Sequence, residues 1–225
     1  MNIIAIDTIT PTLSISARGP SGTATLSICN TGQHAQHIIT LLDSVLNIAG
    51  FSAIETTMVL CPEGPGSFTG LRLAWSTARA IQLASNCILQ PIPPLECYTL
   101  ELLNWPGVVI AVLDAKKNRF YVQFFRCGAK ATEPLDISPI EISLYIDKEE
   151  RILITGPDAE LFDSLVSQQI PNLDITVNKT GLNGISYNML LFAEKNKQDY
   201  NTKQVNDSDG PLYVRKSDAE SSSTK

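Results

Sequence analysis

The sequence predicts an α/β protein whose two halves share one plan: antiparallel strands first, then a strand, a turn and a helix. In the first half, an apolar strand over residues 2–7 is followed by alternating strands over 13–17 and 23–29, which is typical of a meander. The second half opens with two apolar strands, 108–113 and 120–125, joined as a hairpin. No repeat at the level of residues accompanies this shared plan.

A domain boundary is predicted at Trp105-Pro106-Gly107, where the pattern of regular elements breaks. It divides the chain into a first domain, 1–106, and a second domain, 107–216. The last helix of the second domain, predicted over 184–197, is left open to pack back on the first. The final residues, 217–225, have no apolar support and are predicted to be disordered.

The first helix is predicted over His34–Ala49, with Gly50 as the residue that ends it. Its larger apolar residues cover roughly half of the helix circumference, whereas a stripe of about 100° is enough to cover one face of a sheet. This width indicates burial against more than one neighbour.

The stretch from Met58 to Ser85 organises the first half, because a strand over 58–61 enters a glycine-rich loop and then a helix over 67–85. Such a loop can hold an anion at a helix N-terminus, or it can be a rigid bend. Gly64 and Gly70 are wrongly spaced for a Walker A loop and no lysine follows them, while Ser67 lacks the flanking glycines of a nucleophile elbow. The bend is therefore favoured, and anion binding by the backbone alone stays open.

The small residues of this second helix, among them Ala74 and Ala78, allow another helix to approach closely. Arg72 and Arg79 share a side with Phe68 and Trp75. This side is either a solvated stripe or an aromatic and arginine patch of the kind enriched at protein interfaces.

The remaining elements follow from shorter signals. The predicted elements are a strand over 88–91, a helix over 94–103, an edge strand or loop over 140–146, a strand over Arg151–Thr155, a helix over 159–168 and a strand over 175–177. Asp158 is predicted to cap the helix that begins at residue 159.

Composition and charge limit the function classes. Hydrophobic residues make up 44% of the 225 residues, charged residues 18%, and the net charge is -6. A main phosphate-binding surface for nucleic acid needs clustered cations, and no such cluster occurs. The five cysteines lack CxxC spacing, and we see neither a signal peptide nor a membrane span. We expect a cytoplasmic protein with reduced thiols and no contact with a membrane.

Two candidate sites carry little chemistry by themselves. His34 and His37 are three residues apart on a helix, but a third metal ligand is missing, so we expect no metal and a capping or packing role for His34. Asp7 and Thr8 end the first strand, where actin- and hexokinase-type folds orient a metal-bound water beside a phosphate. The turn lacks the usual glycine, so the two residues are at most a vestigial nucleotide site.

A resemblance to a known family emerges from the glycine loop. The segment Gly64-Pro65-Gly66-Ser67-Phe68-Thr69-Gly70-Leu71-Arg72 resembles the signature GPGSFTGLR of the TsaB (YeaZ) family. Weaker matches are the start at residues 4–8, the segment 34–36, the hairpin Asp114-Ala115-Lys116-Lys117 and the tail 211–215 with Ala219-Glu220. Asn118 replaces a usual glycine of the hairpin, and Val214 replaces the leucine of the tail.

The resemblance implies an actin-like ATPase (ribonuclease H-like) fold with two similar subdomains, each a mixed sheet flanked by helices. It implies a pseudo-enzyme that scaffolds and activates TsaD, the threonylcarbamoyltransferase that modifies adenosine 37 of tRNAs reading codons that start with A. The TsaD paralogue would form a heterodimer with this chain, the TsaE ATPase would be a further partner, and tRNA would bind only through the complex. No cofactor is implied, although ATP or ADP at the partner interface is left open.

In this family the first two long helices carry the partner interface. The residues predicted to form it here are His34, Ile38, Leu41, Leu42, Val45, Phe68, Leu71, Arg72, Ala74, Trp75, Ala78 and Arg79. The same surface would let the isolated chain form a homodimer. The alternatives are a nucleotide-binding ATPase or phosphotransferase of the same fold and, more remotely, a glycoprotease-like peptidase.

Overall fold

The computed structural model describes residues 1–29, 32–196, 205 and 209–215. The chain forms two compact units: the first contains Met1–Cys97 and Asn183–Leu212, and the second contains Tyr98–Leu182 and Tyr213–Lys225. The change of unit after Cys97 precedes the boundary predicted from Trp105-Pro106-Gly107. The tail 217–225, with the Ala219-Glu220 match, lies outside the described residues, as does Lys197 at the end of the predicted last helix.

The first unit is built on a five-stranded sheet of order β3-β2-β1-β4-β5. The strands are β1 (Ile3–Asp7), β2 (Leu13–Gly19), β3 (Gly22–Ile28), β4 (Met58–Pro62) and β5 (Ile88–Ile92). β1 pairs antiparallel with β2 and parallel with β4, so it is the central strand. The predicted meander is β1–β3.

Two long helices, α1 (His34–Ala49) and α2 (Phe68–Ser85), cover one face of this sheet. Ile4, Ile6 and Val59 point into the core that both helices close. Gly50 ends α1 in the left-handed conformation with φ 81°, and its N–H donates to Leu46 O, as the sequence predicts. Ser67 is the N-cap of α2 and accepts a hydrogen bond from Gly70 N at 3.4 Å.

Three further helices are α3 (Pro94–Cys97), which follows β5, α4 (Ala159–Gln169), which belongs to the second unit, and α5 (Ser186–Lys195). The opposite face of the first sheet is covered by α5, which contacts β1 and β2. The Ser186 hydroxyl lies 2.8 Å from that of Ser16, which alternates with the core-facing Ile15. Coverage on both faces explains why β1 is buried throughout and apolar up to Asp7.

The second unit repeats the plan of the first. Its strands are β6 (Val108–Asp114), β7 (Phe120–Arg126), β8 (Ala129–Lys130), β9 (Leu135–Ile137), β10 (Arg151–Thr155) and β11 (Asp174–Asn178). The order is β11-β10-β6-β7-β8, with β9 also paired to β7. β6 is antiparallel to β7 and parallel to β10, as β1 is to β2 and β4. The predicted fold class of two similar mixed sheets flanked by helices is confirmed.

Two predicted elements were wrong in extent or type. The helix predicted over 94–103 is shorter in the structure and consists of α3 alone. It ends at Cys97, whose carbonyl accepts a hydrogen bond from Asn188 Nδ2 at 2.9 Å. Turns follow it, closed by hydrogen bonds from Leu102 N to Thr99 O and from Trp105 N to Leu102 O. Residues Pro139–Leu144 form a 3₁₀ helix instead of an edge strand or loop. Its start is fixed by Glu141, whose carboxylate accepts from Ser138 N at 2.7 Å.

Candidate functional site

The turn that follows β1, Asp7–Thr10, is where the start of each long helix of the first unit is attached; we call it the first turn. Thr8 Oγ1 donates to Gly70 O of α2 at 2.7 Å, and Ser67 N donates to Ile9 O at 3.2 Å. His34 Nε2 donates to Thr10 O at 2.7 Å, which attaches α1. Three residues of this turn, Thr8, Ile9 and Thr10, therefore contact the beginnings of α1 and α2.

Asp7 attaches α5 through its carboxylate. Oδ2 accepts from Ile185 N, just before α5, at 2.8 Å, and Oδ1 accepts from Ile9 N at 3.2 Å. Burial raises the pKa of Asp7 to about 6, while the two backbone donors and the nearby His34 act in the opposite direction. Both oxygens are thus engaged by backbone of the same unit.

The glycine-rich loop packs directly against the first turn. A methyl group on Gly70 would lie 2.0 Å from Thr8 O, and one on Gly66 would lie 2.7 Å from Ile9 Cβ. On its other side, Gly64, with φ 115°, leaves no room for a methyl beside Leu212 O, and Leu212 N donates to Glu63 O at 2.7 Å. The remaining signature residues, Pro65, Ser67, Phe68 and Thr69, connect these contacts to α2.

This packing favours the bend over the phosphate cradle. A cradle needs a space that backbone N–H groups face, whereas the space beside Gly66 and Gly70 is filled by the first turn. Trp75 Nε1 donates to Pro62 O at 2.8 Å, which holds α2 to the end of β4. The loop sets the direction in which α2 leaves the sheet.

Most of the residues predicted for a partner interface lie in the core of the first unit. Eight are buried under 9% exposure: Ile38, Leu41, Leu42, Val45, Leu71, Ala74, Trp75 and Ala78. Their apolar side chains cover the sheet of the same unit, so they are unavailable to another chain. The helical pattern indicated this burial, and the sheet of the same unit supplies the covering surface.

The other four predicted residues have different surroundings. His34 turns its ring toward Thr10 and not outward. Arg72 is exposed and its guanidinium lies 3.9 Å from the ring centre of Phe68, itself 38% exposed. Arg79 donates to Gln82 Oε1 at 2.9 Å and to Asp209 O at 3.3 Å.

The outward sides of α1 and α2 carry exposed side chains, of which only Phe68 and Arg72 were singled out from the sequence. Their apolar members include Ile39 at 59% and Leu83 at 83% exposure. We use the term exposed helical surface for the exposed side chains of the two helices: Phe68, Arg72, Ser76, Ala80 and Leu83, which share one side of α2, and Ile39 and Ile48, which lie about 180° apart on α1. Ser76 and Ala80 are its small residues.

The hairpin between β6 and β7 holds the second family-like segment. Lys116, Lys117 and Asn118 all have positive φ, between 56° and 63°. Asp114 Oδ1 accepts from Lys116 N at 2.7 Å and so stabilises the turn. Asp158 is the N-cap residue of α4, as predicted, but its carboxylate accepts from Asp114 N at 2.8 Å and not from the N–H groups of its own helix. Burial raises the pKa of Asp158.

The described part of the chain contains no group of three histidine, cysteine or acidic side chains arranged to hold a metal. His34 already uses Nε2 on Thr10. None of the helices among these residues combines the length and the apolar character needed to cross a bilayer.

Comparison with known proteins gives one family and several relatives. The family model described as "TsaD: tRNA N6-adenosine threonylcarbamoyltransferase" matches residues 30–197. The Bacillus subtilis "tRNA threonylcarbamoyladenosine biosynthesis protein TsaB" is 21% identical over 174 residues, 74% of this chain and 75% of that protein. The Escherichia coli protein of the same name is 29% identical over 130 residues, 54% of this chain and about half, 53%, of that protein.

Two solved structures from Pseudomonas aeruginosa share the fold. One, described as an uncharacterized protein with similarity to peptidase YEAZ, has a TM-score of 0.77 at 17% identity and covers 95% of this chain and 99% of its own. The other, described as YeaZ, has a TM-score of 0.71 at 17% identity, with 94% and 99% covered. The likeness extends over both units.

Proposed function

Because the chain belongs to the tRNA N6-adenosine threonylcarbamoyltransferase (TsaD) family, among its TsaB (YeaZ) members, we propose that it is a non-catalytic subunit that binds TsaD and activates it. The process is the formation of threonylcarbamoyladenosine in tRNA, for which its curated relatives are named. The modified position is adenosine 37 of tRNAs that read codons starting with A. tRNA and the TsaE ATPase meet this chain only through the complex.

The observation that carries the non-catalytic role is the filled first turn. A catalyst of this fold type needs the turn after its first strand to be accessible to a nucleotide phosphate. In this chain Gly66 and Gly70 approach the turn so closely that a methyl group would not fit, and the Asp7 carboxylate is engaged by Ile9 N and Ile185 N. These contacts favour a scaffold over an ATPase or a phosphotransferase.

The exposed helical surface is the region we propose for TsaD. Large apolar side chains that remain 58% or more exposed, such as Ile39, Ile48 and Leu83, favour burial against a partner. Ser76 and Ala80 leave room between them for a helix of that partner. The same surface would pair two copies of this chain when TsaD is absent.

Activation is tested by measuring tRNA modification with purified TsaD, TsaE and tRNA, with and without this chain. We expect the rate to fall strongly when the chain is omitted. Full activity of TsaD without the chain would contradict the proposal. A thermal shift of the isolated chain with ATP and Mg²⁺ would instead support the ATPase alternative, because a ligand that binds only the native state stabilises it.

The surface is tested by one pair of matched variants. Ser76→Glu places a charge on the exposed helical surface, and Ser164→Glu makes the same change on an exposed position of α4. We expect Ser76→Glu to weaken the binding of TsaD at least tenfold, because the new carboxylate would be desolvated without a partner. Ser164→Glu should bind as the unchanged chain does. Equal binding of TsaD by both variants would contradict the proposal that TsaD binds this surface.

A further inference from the structure

The first turn has a feature that the proposed function does not use: it bonds to the first residues of both helices that carry the exposed helical surface. Thr8, 1% exposed, donates its hydroxyl hydrogen to Gly70 O near the start of α2. His34, the first residue of α1, gives its Nε2 hydrogen to Thr10 O. Two side-chain hydrogen bonds therefore connect one short turn to both helices.

Attachment at a helix start controls the position of the whole helix. α2 has 18 residues, which corresponds to a length of about 27 Å. A change of about 5° in its direction at Gly70 moves its far end, where Leu83 lies, by about 2 Å. A protein interface requires packing as close as that of a protein core, so a displacement of this size matters for affinity.

We propose that Thr8 and His34 are positioning residues, which set the directions of α2 and α1 so that the exposed helical surface fits its partner. The inference rests on the proposed function, because TsaD is taken as that partner. Neither side chain contacts the partner in this scheme. Each acts through a backbone carbonyl of the same unit, Gly70 O for Thr8 and Thr10 O for His34.

Thr8→Val tests this because it keeps the shape of the side chain and removes the hydrogen that Gly70 O accepts. Thr8→Ser restores the hydroxyl. Thr155→Val is the matched control: Thr155 is fully buried in the second unit and its hydroxyl also donates to a backbone carbonyl, Tyr98 O at 3.4 Å. All three variants and the unchanged chain are titrated with TsaD by calorimetry at a temperature where each is folded.

We expect the dissociation constant to rise at least fivefold for Thr8→Val and to stay within twofold for Thr8→Ser and Thr155→Val. Unchanged affinity of Thr8→Val would overturn the inference. Equal weakening by Thr155→Val would overturn it as well, because affinity would then follow general stability. If Thr8→Val does not fold, His34→Leu and His34→Gln make the same comparison on α1, since only glutamine can still donate to Thr10 O.

A separate readout distinguishes failure of the inference from failure of the proposed function. Amide hydrogen exchange of the isolated chain reports the local stability of the start of α2 without any partner. Faster exchange over residues 70–74 in Thr8→Val, and not in Thr155→Val, supports the positioning role even if TsaD does not bind the unchanged chain. Unchanged exchange there contradicts it.

Discussion

Asp7→Asn changes how the stability of the first unit depends on pH. Asp7 is fully buried, and burial raises its pKa from 3.8 to about 6. The folded unit therefore holds this proton more tightly than the unfolded chain does. Stability contributed by the protonated carboxyl is fully present below pH 3.8 and is lost as the pH rises through 6. Asparagine cannot ionise and removes this dependence.

The size of the effect follows from the two pKa values. A difference of roughly two between the folded and unfolded pKa corresponds to about 3 kcal/mol in total, of which about 2 kcal/mol falls between pH 4.5 and 7.5. Asparagine also costs about 1–3 kcal/mol at every pH, because its NH₂ group faces one of the two backbone donors. Relative to the unchanged chain, the variant should thus gain about 2 kcal/mol in unfolding free energy between pH 4.5 and pH 7.5.

Urea unfolding followed by tryptophan fluorescence measures this difference. The chain has two tryptophans, so in a Trp105→Phe background Trp75 alone reports the first unit. The neighbouring titratable groups, His34 and Cys97 among them, are present in both proteins and largely cancel in the difference. A difference between variant and unchanged chain that varies by less than about 0.5 kcal/mol over this pH range would refute the reasoning.

Two further predictions concern packing and charge. Gly70→Ala should lower the unfolding free energy by about 1–3 kcal/mol, because the added methyl group meets Thr8 O. This cost outweighs the better helix propensity of alanine. The control Gly210→Ala adds a methyl group with nothing within 4 Å and should leave thermal unfolding unchanged. Arg215→Ala removes hydrogen bonds to Asp136 at 2.6 and 2.8 Å and should cost the second unit about 1–2 kcal/mol, seen as faster amide exchange in β9. Burial would raise the pKa of Asp136, but hydrogen bonds from Arg215 and Arg119 outweigh it and lower the pKa, so this stabilisation is lost as the pH falls below 3.8. Equal exchange in β9 with and without Arg215 would contradict the second prediction.

Long elements with local signals were predicted well from the sequence. The bounds of α1 match the structure because its apolar period and Gly50 mark both its body and its end. β10 was likewise predicted at its observed bounds. By contrast, β8 and β9 have two and three residues, too few to show any period, and were missed.

The candidate site was predictable in its parts and not in its assembly. The sequence singled out Asp7, the glycine loop and His34 separately, because each has an unusual local composition. That Gly70 packs on Thr8 O is a contact between residues 62 positions apart, and no local pattern reports it. The same limit applies to the helix: its stripe predicts that Ala74 and Ala78 are covered, but not which surface covers them.

The discontinuous first unit has a consequence for the order in which the protein folds during synthesis. Its sheet is complete at Ile92, yet α5, which covers the second face, is encoded almost a hundred residues later. Until Ile185 leaves the ribosome, Asp7 lacks one of its two backbone donors and the serines of β2 lack the Ser186 hydroxyl. Residues Tyr98–Leu182 of the second unit can form during this interval, whereas Arg215, which bonds to Asp136, follows later. The contacts that Asp7 makes with α5 are therefore completed late in the life of each new chain, after those that attach α1 and α2.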